Sequence, residues 1–246
     1  MGDKSSTSPA TDWVTVGTDD GPMRVFTARP AAADRAVVVF QEVFGVNDYI
    51  QDIARRFAGR GWLALAPSLF HRAGVETLPY DRLPEALELA DATGPDAIVT
   101  DVRAVLTHLA EMEGIPVGRC VLVGFCFGGR VAFTAATGVD GLGATVVFYG
   151  SYIAAGPHAV LDRAASIDSP MMLHVGAEDH VITADQVQAT ENALRAAGAD
   201  FVQHVYENAG HAFASDHRSQ EYRPGPAETA WQRTWAFLDR HVPTPA

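Results

Sequence analysis

Positive charge, cysteine and long apolar runs are all scarce in this chain of 246 residues. Lys and Arg together number 18 against 30 Asp and Glu, a formal net charge of −12. Such a surface repels phosphate backbones and anionic headgroups, which argues against nucleic-acid and membrane partners. The chain holds only two cysteines, which excludes a disulfide-dense secreted scaffold. If the stretch between Cys120 and Cys126 is extended, their Cα atoms lie roughly 20 Å apart, well beyond the ~7 Å reach of a disulfide. Free thiols fit a reducing compartment, and the chain reads as cytoplasmic. No apolar run approaches the ~18 residues of a membrane span. The start, Met1 to Asp12, has no apolar signal-peptide core. Met1-Gly2 with Ser6 matches a loose myristoylation pattern, but residues 1–12 read as a mobile polar tail.

What is present is apolar: 48% of the residues are hydrophobic, enough for a sizeable core. Two stretches, Trp13–Gly17 and Met23–Pro30, flank the turn signal Asp19-Asp20-Gly21-Pro22 and predict an antiparallel hairpin. Beyond it, short β-branched runs alternate with helical ones. Strands are expected at Ala36–Gln41, Leu63–Pro67, Cys120–Phe125, Ala144–Gly150, Pro170–Gly176 and Phe201–Glu207. Helices are expected at Asp48–Arg60 (closed by a left-handed Gly61), Asp96–Glu113, Phe127–Thr137, Ala184–Ala197 and Pro226–His241, with a short one near Pro84–Asp91. This alternation implies right-handed crossovers and a mostly parallel sheet of about eight strands with helices on both faces. With no internal repeat and no linker, residues 13–246 read as one α/β domain.

The chemistry centres on Gly124-Phe125-Cys126-Phe127-Gly128-Gly129, a G-x-C-x-G nucleophile elbow between a strand and a helix. Its glycines let neighbouring backbone approach where a Cβ would collide. The turn lifts Cys126 clear of the sheet and sets it at a helix N-terminus, whose positive end favours a negative sulfur. Read alone, Cys126 would be a small buried hydrophobe; Cys120, deep in the strand, is read that way.

A nucleophile needs a base, and the base an orienting acid. Asp179 follows one strand, 53 positions after Cys126, and His211 follows the next, 32 positions later. Both fall just past C-terminal strand ends, where open α/β sheets place their ligands. Glu178 competes with Asp179 for the acid's place. His174, within a strand, reads as structural. Glu42, past the first parallel strand, would on its own be an exposed loop acid, in a loop that usually supplies an N–H to an oxyanion hole.

At these residues the sequence resembles the dienelactone hydrolase (carboxymethylenebutenolidase) family. The likeness is carried by Gln41-Glu42-Val43-Phe44-Gly45-Val46-Asn47, the elbow, Gly176-x-x-Asp179-His180 and Ala209-Gly210-His211-x-Phe213, and it runs from about residue 13 to 240. It implies an α/β-hydrolase fold and a Cys126–His211–Asp179 triad, with Glu42 beside the resting thiol. It further implies an oxyanion hole of the Val43 and Phe127 N–H groups, and substrate contacts from Arg82 and Tyr149. The expected reaction is cleavage of an ester or enol lactone through a thioester acyl-enzyme, with a small-molecule substrate and neither metal nor organic cofactor. A thioesterase or general carboxylesterase on the same triad is the alternative enzyme, and a non-catalytic binding protein that keeps the pocket is the alternative outside enzymes.

The chain departs from the family where the substrate's carboxylate is held. The second of the family's two arginines, four residues past the histidine, is Ser215 here, and the serine directly after the histidine is Ala212. Half of the clamp is missing, which points to a larger or less anionic ester or lactone, with Arg218 or Arg223 as substitutes from the same loop.

Overall fold

The computed structural model describes residues 8–244. Eight strands form one sheet: β1 Ala10–Thr18, β2 Gly21–Arg29, β3 Ala36–Phe40, β4 Leu63–Pro67, β5 Cys120–Phe125, β6 Ala144–Phe148, β7 Met171–Gly176 and β8 Phe201–Tyr206. Their spatial order is β1-β2-β4-β3-β5-β6-β7-β8. The β1–β2 and β2–β4 pairs are antiparallel, and every pair from β4 to β8 is parallel. The central strands β3 and β5 are buried along their whole length, as a sheet covered on both faces requires.

Six helices provide the cover: α1 Asp48–Ala58, α2 Leu83–Ala92, α3 Pro95–Glu113, α4 Phe127–Ala136, α5 Ala184–Ala197 and α6 Pro224–His241. The helical residues of α1 and α6 pack in the core on one face of the sheet; those of α2, α3, α4 and α5 pack in the core on the other. The amphipathic face of α1 is the expected one, with Tyr49, Ile50, Ile53, Ala54 and Phe57 all buried. Asn47 caps it by accepting from the Ile50 N–H at 3.2 Å. Its end differs from expectation. The helix stops at Ala58, and two further tight bonds, Arg60 N–H to Phe57 O and Gly61 N–H to Ala58 O, carry the chain on before Gly61 (φ 83°) turns it into β4.

Two other boundaries move. The expected polar tail lies outside the described residues over 1–7, including the Met1-Gly2-Ser6 pattern, but Ala10–Asp12 belong to β1, paired with Thr27–Arg29. β6 ends at Phe148, because Tyr149 adopts a positive φ of 38° and leaves the sheet. Among the described residues no helix is long and apolar enough to cross a membrane.

Candidate active site

The parallel strands all end at one edge of the sheet, and the four candidate side chains follow β3, β5, β7 and β8. β3 and β5 are neighbours, with Phe40 opposite Gly124, and β7 pairs β8 with Gly176 opposite Tyr206. Sheet register therefore gathers residues that are 169 positions apart in the chain, Glu42 and His211.

Cys126 stands between β5 and α4 with φ 55° and ψ −115°, a region costly for a residue with a Cβ. The strain is held by packing that only glycine permits. A Cβ on Gly124 would sit 1.8 Å from the Gly128 carbonyl oxygen, and one on Gly128 would sit 2.3 Å from that of Phe40. Phe127 opens α4, so its N–H is among those a helix leaves without an internal carbonyl. The N–H of Val43 likewise donates to no backbone carbonyl in the turns and loops of the described residues.

Asp179 and His211 meet as expected: His211 Nδ1 lies 2.9 Å from Asp179 Oδ2. The other oxygen, Oδ1, accepts from the N–H groups of Val181 at 2.8 Å and Ile182 at 2.9 Å, which fixes the carboxylate. Burial alone would raise the Asp179 carboxyl, but His211 and these two N–H groups hold it below its ordinary value. Glu178 is exposed and takes no part. Burial disfavours a charged His211, yet its pKa is pushed up to about 10, chiefly by the negative charge of Cys126 and by Asp179. Close as the sulfur is, His211 Nε2 has no aligned hydrogen-bond partner. The sulfur is instead 3.8 Å from Ser151 Oγ.

Glu42 is 1% exposed, not a solvated loop acid, and both its oxygens lack a hydrogen-bond partner. Burial pushes its carboxyl up, against the opposing pull of Arg218 and His211. No hydrogen bond joins it to Cys126; its nearest cation is Arg218 Nη1 at 4.0 Å from Oε1.

Glu42, Cys126 and His211 line one cavity of about 250 Å³. Its other walls are mostly apolar, with Phe44, Tyr80, Leu83, Leu87 and Val181. Two expected substrate contacts are corrected. Arg82 does not line the cavity: it sits at the N-terminus of α2, its side chain 56% exposed and paired with Glu85 three residues on. Tyr149 is fully buried behind the site, its ring edge-to-face on His211 at 5.3 Å, so it braces the imidazole and does not face the cavity. The cation in the cavity is Arg218, which donates to Glu221 at 2.9 Å and whose guanidinium lies 5.4 Å from the Tyr80 ring centre. Arg223, by contrast, is exposed and bonded to the carbonyls of Gln220 and Tyr222. Ser215 is buried away from the cavity.

Sequence reasoning missed the apolar roof from Tyr80 to Leu87 and the buried Ser151. The roof comes from a proline-containing stretch with weak periodicity, and Ser151 follows a strand end that the alternation did not place correctly. His174 is structural: it is fully buried, bridging the Tyr206 hydroxyl at 2.8 Å and Thr234 Oγ1 at 3.0 Å. Among the described residues no group of three or more His, Cys, Asp or Glu side chains is arranged to hold a metal ion.

The model of a protein family described as "Dienelactone hydrolase family" matches residues 23–242. A "Putative carboxymethylenebutenolidase" of Escherichia coli K12 is 36% identical over 229 residues, covering 89% of this chain and 83% of its own. A protein of the same name from Yersinia pestis is 35% identical over 209 residues, covering 83% of this chain and 78% of its own. Among solved structures, the "Putative Dienelactone Hydrolase" of Klebsiella pneumoniae superposes with a TM-score of 0.86 at 31% identity, covering 95% of this chain and 100% of that one.

Proposed function

Because the chain belongs to the dienelactone hydrolase family, we propose that it hydrolyses an ester or enol lactone through a thioester on Cys126, with His211 and Asp179 completing a triad. One observation carries this reading. A cysteine forced into a left-handed elbow at a helix N-terminus shares a cavity with an imidazole already oriented by a buried carboxylate at 2.9 Å.

The steps follow from the groups present. As the sulfur comes into line with the imidazole it gives its proton to His211, whose pKa the negative sulfur and Asp179 raise. The thiolate attacks the carbonyl carbon, and the oxygen that gains charge is received by the N–H groups of Val43 and Phe127, each such donor being worth roughly 3–4 kcal/mol in the transition state. The tetrahedral species collapses as His211 gives its proton to the leaving oxygen; in a lactone that oxygen stays tethered to the acyl chain. Acylation removes the charge that held the proton, so burial now favours neutral imidazole. His211 can then take a proton from water as the water attacks the thioester. Asp179 fixes the ring with Nε2 toward the cavity. Glu42, as a buried acid with no fixed partner, supplies a second proton acceptor for the thiol when a substrate rearranges the site.

A thiolate leaves more readily than an alkoxide, so attack on a simple alkyl ester tends to revert. Good leaving groups such as enolates and phenolates are therefore favoured. The walls favour a neutral substrate as well, because Arg218, the cavity's guanidinium, is already paired with Glu221 and faces Glu42.

The test is hydrolysis of p-nitrophenyl acetate with intact-mass detection of the acyl-enzyme. Wild-type protein should turn over and carry a transient acetyl group on Cys126. Cys126→Ala, checked for folding by circular dichroism, should lose at least about 10³-fold in kcat. Unchanged turnover by the alanine variant overturns the proposal.

A further inference from the structure

The steps above use Cys126, His211 and Glu42, whereas Ser151, another polar side chain of the cavity, has no part in them. Ser151 Oγ lies within hydrogen-bond reach of the sulfur, at 3.8 Å. The serine is 3% exposed and lines the cavity. Its own N–H donates to the Cys126 carbonyl at 3.1 Å, so the two residues are tied by backbone as well as by side chain.

The loop that presents Ser151 is built for that one position. Tyr149 and Tyr152 on either side hold positive φ values of 38° and 59°. Between them, a Cβ on Gly129 of α4 would lie 2.6 Å from Gly150 Cα, so the elbow helix and this loop are in backbone contact. Strain that brackets a buried hydroxyl, and aims it at the sulfur, persists only where the surroundings over-determine it. Meanwhile His211 Nε2 is buried and unpartnered. The sulfur thus lies between two neighbours, the serine hydroxyl at 3.8 Å and an imidazole close enough to feel its charge but not aligned with it.

We propose that Ser151 is a positioning residue for the Cys126 sulfur: its hydroxyl holds the thiol away from alignment with His211 Nε2 and so lowers its reactivity. This rests on the triad reading for its purpose, though not for its measurement. A thiol parked on a neutral hydroxyl is less ionised than one paired with an imidazole, and a less ionised thiol is slower to be alkylated or oxidised.

Iodoacetamide alkylation of Cys126, followed by peptide mass mapping between pH 5 and 9, reads this directly. Cys120 does not interfere, since it is fully buried and burial pushes its thiol up to about 12. In Ser151→Ala, alkylation near pH 7 should rise about fivefold, the size of one neutral hydrogen bond, and its pH profile should move to lower pH. Ser151→Thr, which keeps the hydroxyl, should restore the slower rate. If the alanine variant does not fold, Ser151→Gly removes the same oxygen without adding an atom. An unchanged or slower rate in the hydroxyl-free variant overturns the proposal, because the hydroxyl would then be filling space or stabilising the thiolate. Alkylation does not require turnover, so failure of the triad reading would show separately, as ester hydrolysis that survives Cys126→Ala.

Discussion

At the scale of single residues, the site is a balance between burial and charge. His211 is buried, which alone would keep it neutral, yet the sulfur and Asp179 bring its pKa to about 10. In the unfolded chain a histidine titrates near 6.5. The folded protein therefore holds a proton that the unfolded chain has lost over the range from about 6.5 to 10. The stabilisation this gives is complete below the unfolded value and fades as pH rises through the folded one. Urea unfolding at intervals across that range should show stability declining with pH in the wild type and declining less in His211→Gln. Parallel decline in both proteins would mean that the proton sits elsewhere. The residue types were legible from the sequence, because an acid and a histidine just past strand ends are an ordered signal. What was not legible is direction. Tyr149 lies in the family pattern, yet its positive φ turns the ring behind His211 instead of into the cavity.

The elbow is the element on which the rest depends. Strand β5, the turn at Cys126 and helix α4 stay close only because Gly124 and Gly128 bring backbone against backbone. In Gly128→Ala the new Cβ would meet the carbonyl oxygens of Phe40 at 2.3 Å and Gln41 at 2.6 Å, and neither strand end can yield freely. Overpacking of this kind costs about 1–3 kcal/mol. Because the same displacement would separate the N–H groups of Val43 and Phe127 proposed as the oxyanion hole, the loss of kcat should exceed the loss of stability. Denaturant titration and ester kinetics on the same preparation compare the two; a variant with wild-type kcat would show that those N–H groups are not a matched pair. Elements with strong local periodicity, such as α3 and α5, could be read to within a residue. The 3₁₀ turn Leu161–Ser166 and the roof before α2 could not, since short segments take their shape from what they pack against.

For the whole molecule, charge decides what approaches the cavity. An excess of 12 negative charges surrounds a site whose single guanidinium is already engaged. Anionic substrates face long-range repulsion that salt screens, with a Debye length of about 10 Å at 0.1 M. Neutral aryl esters should therefore give the higher kcat/KM, nearly independent of ionic strength. For a carboxylate-bearing dienelactone, kcat/KM should be lower and should rise with added salt. Stopped-flow or steady-state rates from 0.01 to 0.5 M NaCl separate the cases. A preference for the anionic lactone, weakening with salt, would assign Arg218 to its carboxylate after all.

The order of strands and helices, the elbow and the succession of cysteine, acid and histidine are properties of contiguous residues: hydrophobic period, turn chemistry and the sterics of glycine act over a few positions and need no partner from afar. The choice of Arg218 over Arg82, the burial of Glu42 and the meeting of Ser151 with the sulfur depend on which strand ends the crossovers bring together and on which way each side chain leaves its backbone. Those are decided by packing between segments distant in sequence, so only the folded chain holds them.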